Sequence, residues 1–288
     1  MVKEKSMTAT TAGSRQQVRI FYRAWSHDRP MGGQKQMYRH VDILNSAGFD
    51  AYVFHDVDGF RLTWFRNDTR VIGPTEFTVL RRPRDILVLS EDVGEDYFKY
   101  SSPKVIFNQN IYHGYKLLGT LPPERYPYED NELLGVMAVS EHNATSLAYA
   151  FPNARILRVL YGIDLEQYKP VALPDKSPLI ATIMKGGSAP ELQALVHTLC
   201  ARARQGIGPL RGFDISYIDN ISETAVAELL RQAVAFVFLS GMEGFGLLPL
   251  EAMAAGCIVS TFDVDPLREF IPNDCRFQPG DFVSSPAE

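Results

Sequence analysis

Short apolar runs alternate along this chain with stretches that carry their apolar residues on one helical stripe, and no other feature narrows its fold as far. The runs VRIFYRA (18–24), DAYVFH (50–55), DILVLS (85–90), KVIFNQ (104–109) and LLGVMAVS (133–140) lack the strict alternation of a strand with one wet face. Continuous apolar strands suit parallel sheets buried on both faces, with helices as the crossovers. Between the first two runs, residues 34–47 place Met37, Val41 and Leu44 on one stripe, and Gly48 stops the helix. Ser140 is a natural N-cap for a helix through Ala150, and ARILRVLYGID closes this half.

A segment rich in proline and charge, LEQYKPVALPDKSP (165–178), then interrupts the pattern and reads as a connection between domains. The series resumes with the strands LIATIM, FDISYID and AVAFVFLS. Between them lie a helix in APELQALVHTLCARARQ, striped by Leu192, Leu195 and Leu199, and one in SETAVAELLRQA capped by Ser222. Asp265-Pro266 reads as an N-cap followed by proline at the first helical position. A chain of 288 residues is long enough for two ordinary domains. The expectation is an α/β protein of two Rossmann-like domains facing across a cleft. A loose polar tail covers 1–17, an N-terminal domain 18–168 and a C-terminal domain 178–288.

Several function classes are disfavoured at this stage. A formal net charge of −5 gives no overall field for gripping nucleic acid or an anionic membrane. Three cysteines, Cys200, Cys257 and Cys275, have no metal-ligand spacing, and their apolar neighbours suit a reduced, cytoplasmic protein. No run approaches the roughly 18 apolar residues of a membrane span, and residues 1–17 have no apolar signal core. Peripheral membrane contact stays open. No His/Cys cluster with metal-ligand spacing follows a strand, and neither a metal nor a cofactor is expected. An NAD-dependent oxidoreductase is a poor reading, because no G-x-G-x-x-G follows the first strand.

In open α/β sheets, ligands sit beyond the carboxyl ends of the strands. Two glycine features lie there: Gly32-Gly33, and Gly244 with Gly246 ahead of a helix beginning near Leu247. Each lets backbone amides at a helix N-terminus approach an anion, although Gly32-Gly33 is equally readable as a flexible turn. Glu243 falls in the strand-to-helix loop. Glu251 lies one turn into the helix among apolar neighbours, where it needs hydroxyl donors or a cation; the alternative is a surface glutamate near the helix dipole.

The stretch EGFGLLPLEAMAAGCIV resembles the E-x7-E signature of retaining, family-4-like glycosyltransferases of the GT-B fold. GGQKQMYRHVDILNSAGFDAYVF resembles their first glycine loop and helix, VMAVSEHN a later strand region, and RVLYGIDLEQYKP the end of their first domain. Carried over position by position, the resemblance implies that Glu251 holds the ribose hydroxyls of a nucleotide sugar. Glu243 would face the transferred sugar, the amides of Gly244, Phe245, Gly246 and Leu247 would approach sugar and phosphate, and Gly32-Gly33 would close on the diphosphate. The base would lie near the strand end YID (217–219), held largely by backbone. Where the family usually places an arginine and a lysine after the first strand of the second domain, this chain has IMKGGS, with Lys185 as the cation there. Lys185 serves the leaving diphosphate or is simply solvated. His113, in FNQNIYHGYK, matches a region where relatives carry a histidine near the donor sugar, and a loop histidine capping backbone carbonyls fits as well. The implied activity is metal-independent, retaining transfer of a sugar from a nucleotide sugar to a carbohydrate or lipid-linked acceptor in glycan or polysaccharide biosynthesis. The alternative is a catalytically weak nucleotide-sugar-binding or partner subunit of the same fold.

Overall fold

The computed structural model describes residues 17–184, 190–206 and 211–278. Residues 1–16 of the expected tail and 279–288 therefore lie outside the described residues, as does Lys185. The apolar runs form strands where the sequence places them: β1 (Arg19–Ala24), β2 (Asp50–His55), β3 (Val71–Ile72), β4 (Ile86–Ser90), β5 (Lys104–Asn108), β6 (Leu133–Ala138) and β7 (Ile156–Arg158). They build one parallel sheet in the order β3-β2-β1-β4-β5-β6-β7. Successive residues of β1 enter opposite layers, Phe21 with one apolar cluster and Tyr22 with another. Both faces are thus covered, which is why the runs do not alternate with polar residues.

The crossovers are α1 (Gly32–Ser46), α2 (Pro74–Leu80), α3 (Ile111–Leu118) and α4 (Glu141–Ala150). Gly48, at φ 86°, ends the α1 region as expected. Ser140 caps α4 by accepting the Asn143 amide at 3.1 Å.

The second sheet takes β8 (Ser177–Met184), β9 (Asp214–Tyr217), β10 (Ala233–Leu239), β11 (Ile258–Phe262) and β12 (Arg276–Phe277), all parallel, in the order β12-β11-β10-β8-β9. Its helices are α5 (Pro190–Gln205), α6 (Glu223–Gln232), capped by Ser222, and α7 (Leu247–Ala254). Asp265-Pro266 opens a single 3-10 turn, Asp265–Glu269, rather than an α-helix, and the capping position falls to Val264. The two sheets make two Rossmann-like domains. Each reverses its strand order once, between β1 and β4 in the first and between β8 and β10 in the second. Those reversals are where an open sheet of this kind leaves a crevice for a ligand. Among the described residues, no helix is long and apolar enough to cross a membrane.

Candidate functional site

The chain leaves β10 beside the reversal point of the second sheet and enters the loop 240–246. Glu243 is buried there and accepts the Ser240 hydroxyl at 2.6 Å. Gly246 forms the N-cap of α7 at φ 96°, a left-handed conformation that glycine adopts without strain. Its missing side chain also makes room, since a Cβ there would lie 2.4 Å from Leu267 Cδ2. α7 thus starts at Leu247 with no side-chain cap, and Glu251 points inward one turn later, 4% exposed.

The glycine loop of the first domain meets this junction directly. A Cβ on Gly32 would lie 2.9 Å from Leu247 Cδ1, and one on Gly33 would overlap the Gln109 side chain. Gln109 Nε2 donates to Gly33 O at 3.1 Å, while a Cβ on Gly244 would strike the Gln109 carbonyl. All three glycines therefore serve close approach, which settles the choice between a loose turn and a packed one. α1 also lacks a side-chain cap at its start, Met31. Two uncapped helix N-termini, α1 and α7, consequently meet at the cleft, each offering amide donors and positive dipole. Phe245 reaches across as well: its ring packs edge-on against Tyr161, with centroids 5.2 Å apart, inside the apolar cluster of the first domain.

Glu251 has a cation as its partner. Lys35 Nζ lies 2.6 Å from Glu251 Oε1 and 2.8 Å from Glu223 Oε1, and all three side chains are buried. Arg39 closes the cluster on Glu223 at 3.1 Å. Two cations face two carboxylates, so the charge balances in a setting where an unmatched ion would be expensive. Burial pushes the Glu251 carboxyl above its usual range, against the pull of Lys35. Lys35, Arg39 and Glu223 have no place in the sequence reading. The available signal was that Lys35 falls one helical turn beyond Gly32-Gly33, on the side that faces the second domain.

A further acid stands at the other reversal point. Glu91 follows β4 and accepts the Gln109 amide at 3.0 Å; burial raises its pKa to about 8, and the neighbouring Asp92 charge adds to the shift. Asp92 accepts the Trp25 indole N–H at 3.2 Å.

His113 differs from expectation in setting. It lies in α3 rather than in a loop, because Asn110 caps that helix by accepting the Tyr112 amide at 3.0 Å, and its side chain is exposed. Glu243, Gly244, Phe245, Gly246, Leu247, Glu251, Gly32 and Gly33 are the predicted residues that the fold gathers. His40 and His55 are structural: both are held neutral by burial, with pKa values lowered to about 4, and His55 Nε2 sits 2.7 Å from the Tyr38 hydroxyl. His197 is exposed on α5.

Comparison with known proteins agrees with this geometry. Residues 213–276, which include the whole Glu243–Glu251 block, match the family model described as glycosyl transferases group 1. No curated protein matches the chain. Among solved structures, sucrose-phosphate synthase from Thermosynechococcus elongatus superposes with a TM-score of 0.60 at 13% identity, covering 92% of this chain and 87% of that one. A mutant of S. aureus TarM in complex with Fondaparinux, alpha-GlcNAc-glycerol and UDP gives 0.67 at 9% identity, covering 92% and 90%. The catalytic domain of starch synthase IV from Arabidopsis thaliana, bound to ADP and acarbose, gives 0.59 at 12% identity, covering 92% and 89%. The shared feature is the GT-B arrangement of two Rossmann-like domains.

Proposed function

We propose that this chain is a retaining glycosyltransferase that moves a sugar from a nucleoside diphosphate sugar to an acceptor hydroxyl in glycan or polysaccharide biosynthesis. The observation that carries the reading is the buried pair Glu243 and Glu251, set beyond β10 at the reversal point of the second sheet, with Glu251 paired to Lys35 of α1. Glu251 suits two vicinal ribose hydroxyls as donors, and Glu243 suits the hydroxyls of the sugar in transfer. The amides at the start of α1 and α7 suit the diphosphate. The matching of residues 213–276 to group 1 glycosyl transferases supports the same assignment.

The step itself breaks the bond between the anomeric carbon and the diphosphate oxygen. Positive charge develops on the sugar ring and negative charge on the leaving group, and the helix N-termini with Lys185 stabilise the latter. The acceptor oxygen bonds to the anomeric carbon on the face that the diphosphate leaves, and its proton passes to a diphosphate oxygen. No metal takes part in this scheme. Closure of the two domains excludes water and so protects the donor from hydrolysis.

Incubation with UDP-, GDP- and ADP-sugars plus a panel of simple glycoside acceptors tests the proposal, with the anomeric configuration of the product read by NMR and EDTA added in a parallel series. Retained configuration with EDTA-insensitive turnover is expected. Inversion or strict metal dependence would overturn the mechanism. A second reading, a nucleotide-sugar-binding subunit of low activity, is favoured by one observation, the Lys35 ammonium already seated on Glu251. Turnover by the isolated chain excludes it.

A further inference from the structure

The Lys35 contact carries an inference about how the donor is received. Lys35 stands in the first turn of α1 and Glu251 in the first turn and a half of α7, while the starts of the two helices touch through Gly32 and Leu247. The Lys35–Glu251 pair therefore lies about one helical turn, roughly 5 Å, behind the two uncapped N-termini. A lysine stem is long and flexible enough to swing its ammonium over that distance. Glu223 has Arg39 as a second cationic partner, at 3.1 Å.

We propose that Lys35 is a mobile donor-site cation: it pairs with Glu251 in the arrangement seen here and passes to the diphosphate when the ribose hydroxyls of a donor take over that carboxylate. This rests on the glycosyltransfer reading above and deepens it. One ammonium then serves two anions in turn. Its departure leaves Glu251 charged and ready for hydroxyl donors, and its arrival adds a cation to the backbone amides at the starts of α1 and α7. The exchange leaves neither anion bare: Glu251 trades the ammonium for hydroxyl donors, and the diphosphate gains the ammonium. It also makes Lys35 a direct competitor of any ligand that offers a ribose without a diphosphate.

That asymmetry supplies the test. Wild type, Lys35→Met and Lys35→Gln are titrated calorimetrically with UDP, GDP and ADP, and with uridine, guanosine and adenosine. The nucleoside should bind more tightly to both variants, most of all to Lys35→Met, because the charged competitor at Glu251 is gone. The diphosphate should lose a charged partner. The affinity ratio of diphosphate to nucleoside should therefore fall about ten- to a hundredfold, and Lys35→Arg should restore most of it. An unchanged ratio, with both ligands tightened equally, would reduce Lys35 to a competitor and overturn the exchange. Equal weakening of both would make it a fold-holding residue, as would loss of cooperative thermal unfolding in both variants; glutamine still offers an N–H to a carboxylate, so that variant should fold. If the wild type binds none of the three diphosphates, the glycosyltransfer reading itself falls, whereas binding with an unaltered ratio sinks only the exchange.

Discussion

Glu243 and Glu251 meet different partners although one short loop and a helical turn separate them. Under the proposed function they also touch different parts of one donor, so their amides should fail differently. Glu251→Gln should weaken a nucleoside diphosphate and the intact donor alike, by about ten- to a hundredfold, since a charge-assisted hydrogen bond is worth roughly 1.5–3 kcal/mol. Glu243→Gln should leave diphosphate binding nearly unchanged and lower kcat, because its contact matters most as charge develops on the sugar. Titrations with both ligands, beside turnover, separate the two; equal losses in both variants would make the pair a structural feature. Glu91 offers a test that needs no substrate. Burial raises its folded pKa to about 8 from the ordinary carboxyl value of 4.5, so its contribution to stability is full at acid pH and lost as pH climbs from about 4.5 through 8. The slope is at most about 1.4 kcal/mol per pH unit. Glu91→Gln keeps an oxygen for the Gln109 amide and should remove that slope, so chemical denaturation at pH 5 and pH 9 should show the variant gaining on the wild type only at the alkaline end. Parallel curves at both values would show that Glu91 is solvated. The carboxylates were readable as a spacing within one motif. Lys35 was not, because its partner is 216 positions away and no local pattern announces a contact of that range.

At the level of elements, the start of α7 concentrates the constraints. Gly246 combines a left-handed backbone with a Cβ position that Leu267 already fills. Gly246→Ala should thus lose about 1–2 kcal/mol to the backbone alone, with a further loss from displacing Leu267, and the helix should start later. Circular dichroism melts compared with Gly48→Ala isolate the second effect, since Gly48 also has positive φ but open space around its Cβ position. Equal losses at the two sites would mean that Leu267 simply moves aside. The long crossovers α1, α4 and α6 were legible because a stripe, a cap or a stop residue marks each. α3 was hidden: IYHGYKLL carries Gly114 in mid-helix, a residue that weakens a helical reading. That glycine is there for packing, as a Cβ would crowd the Tyr128 hydroxyl and Glu91. β3 was hidden by brevity, two residues that gain their identity only by pairing with β2.

Across the whole molecule, two polar clusters and an aromatic ring join the domains. On one side lies the cluster of Lys35, Arg39, Glu223 and Glu251. On the other, Glu269 from the second domain accepts the Glu141 amide at 2.7 Å at the start of α4 and pairs with Arg158 at 2.5 Å. Phe245 crosses as well, a second-domain ring within the first domain's apolar cluster, edge-on to Tyr161 and tilted against Phe270. Among these contacts the ring should couple the domains most strongly, because the clasps exchange protein partners for water with small net gain while the ring's burial has no such substitute. Phe245→Ala should remove on the order of 3–5 kcal/mol, and the loss should fall on the coupling rather than on either domain's own core. Differential scanning calorimetry should accordingly show the transition broadening or splitting in two, and small-angle scattering should show a larger radius of gyration. The control is Phe236→Ala, whose ring is buried wholly within the second domain; it should lower the stability of that domain without enlarging the folded molecule. If Phe245→Ala instead shifts a single transition at unchanged width and radius, the remaining contacts hold the domains together without the ring, and the donor would have to open the polar cluster by displacing Lys35.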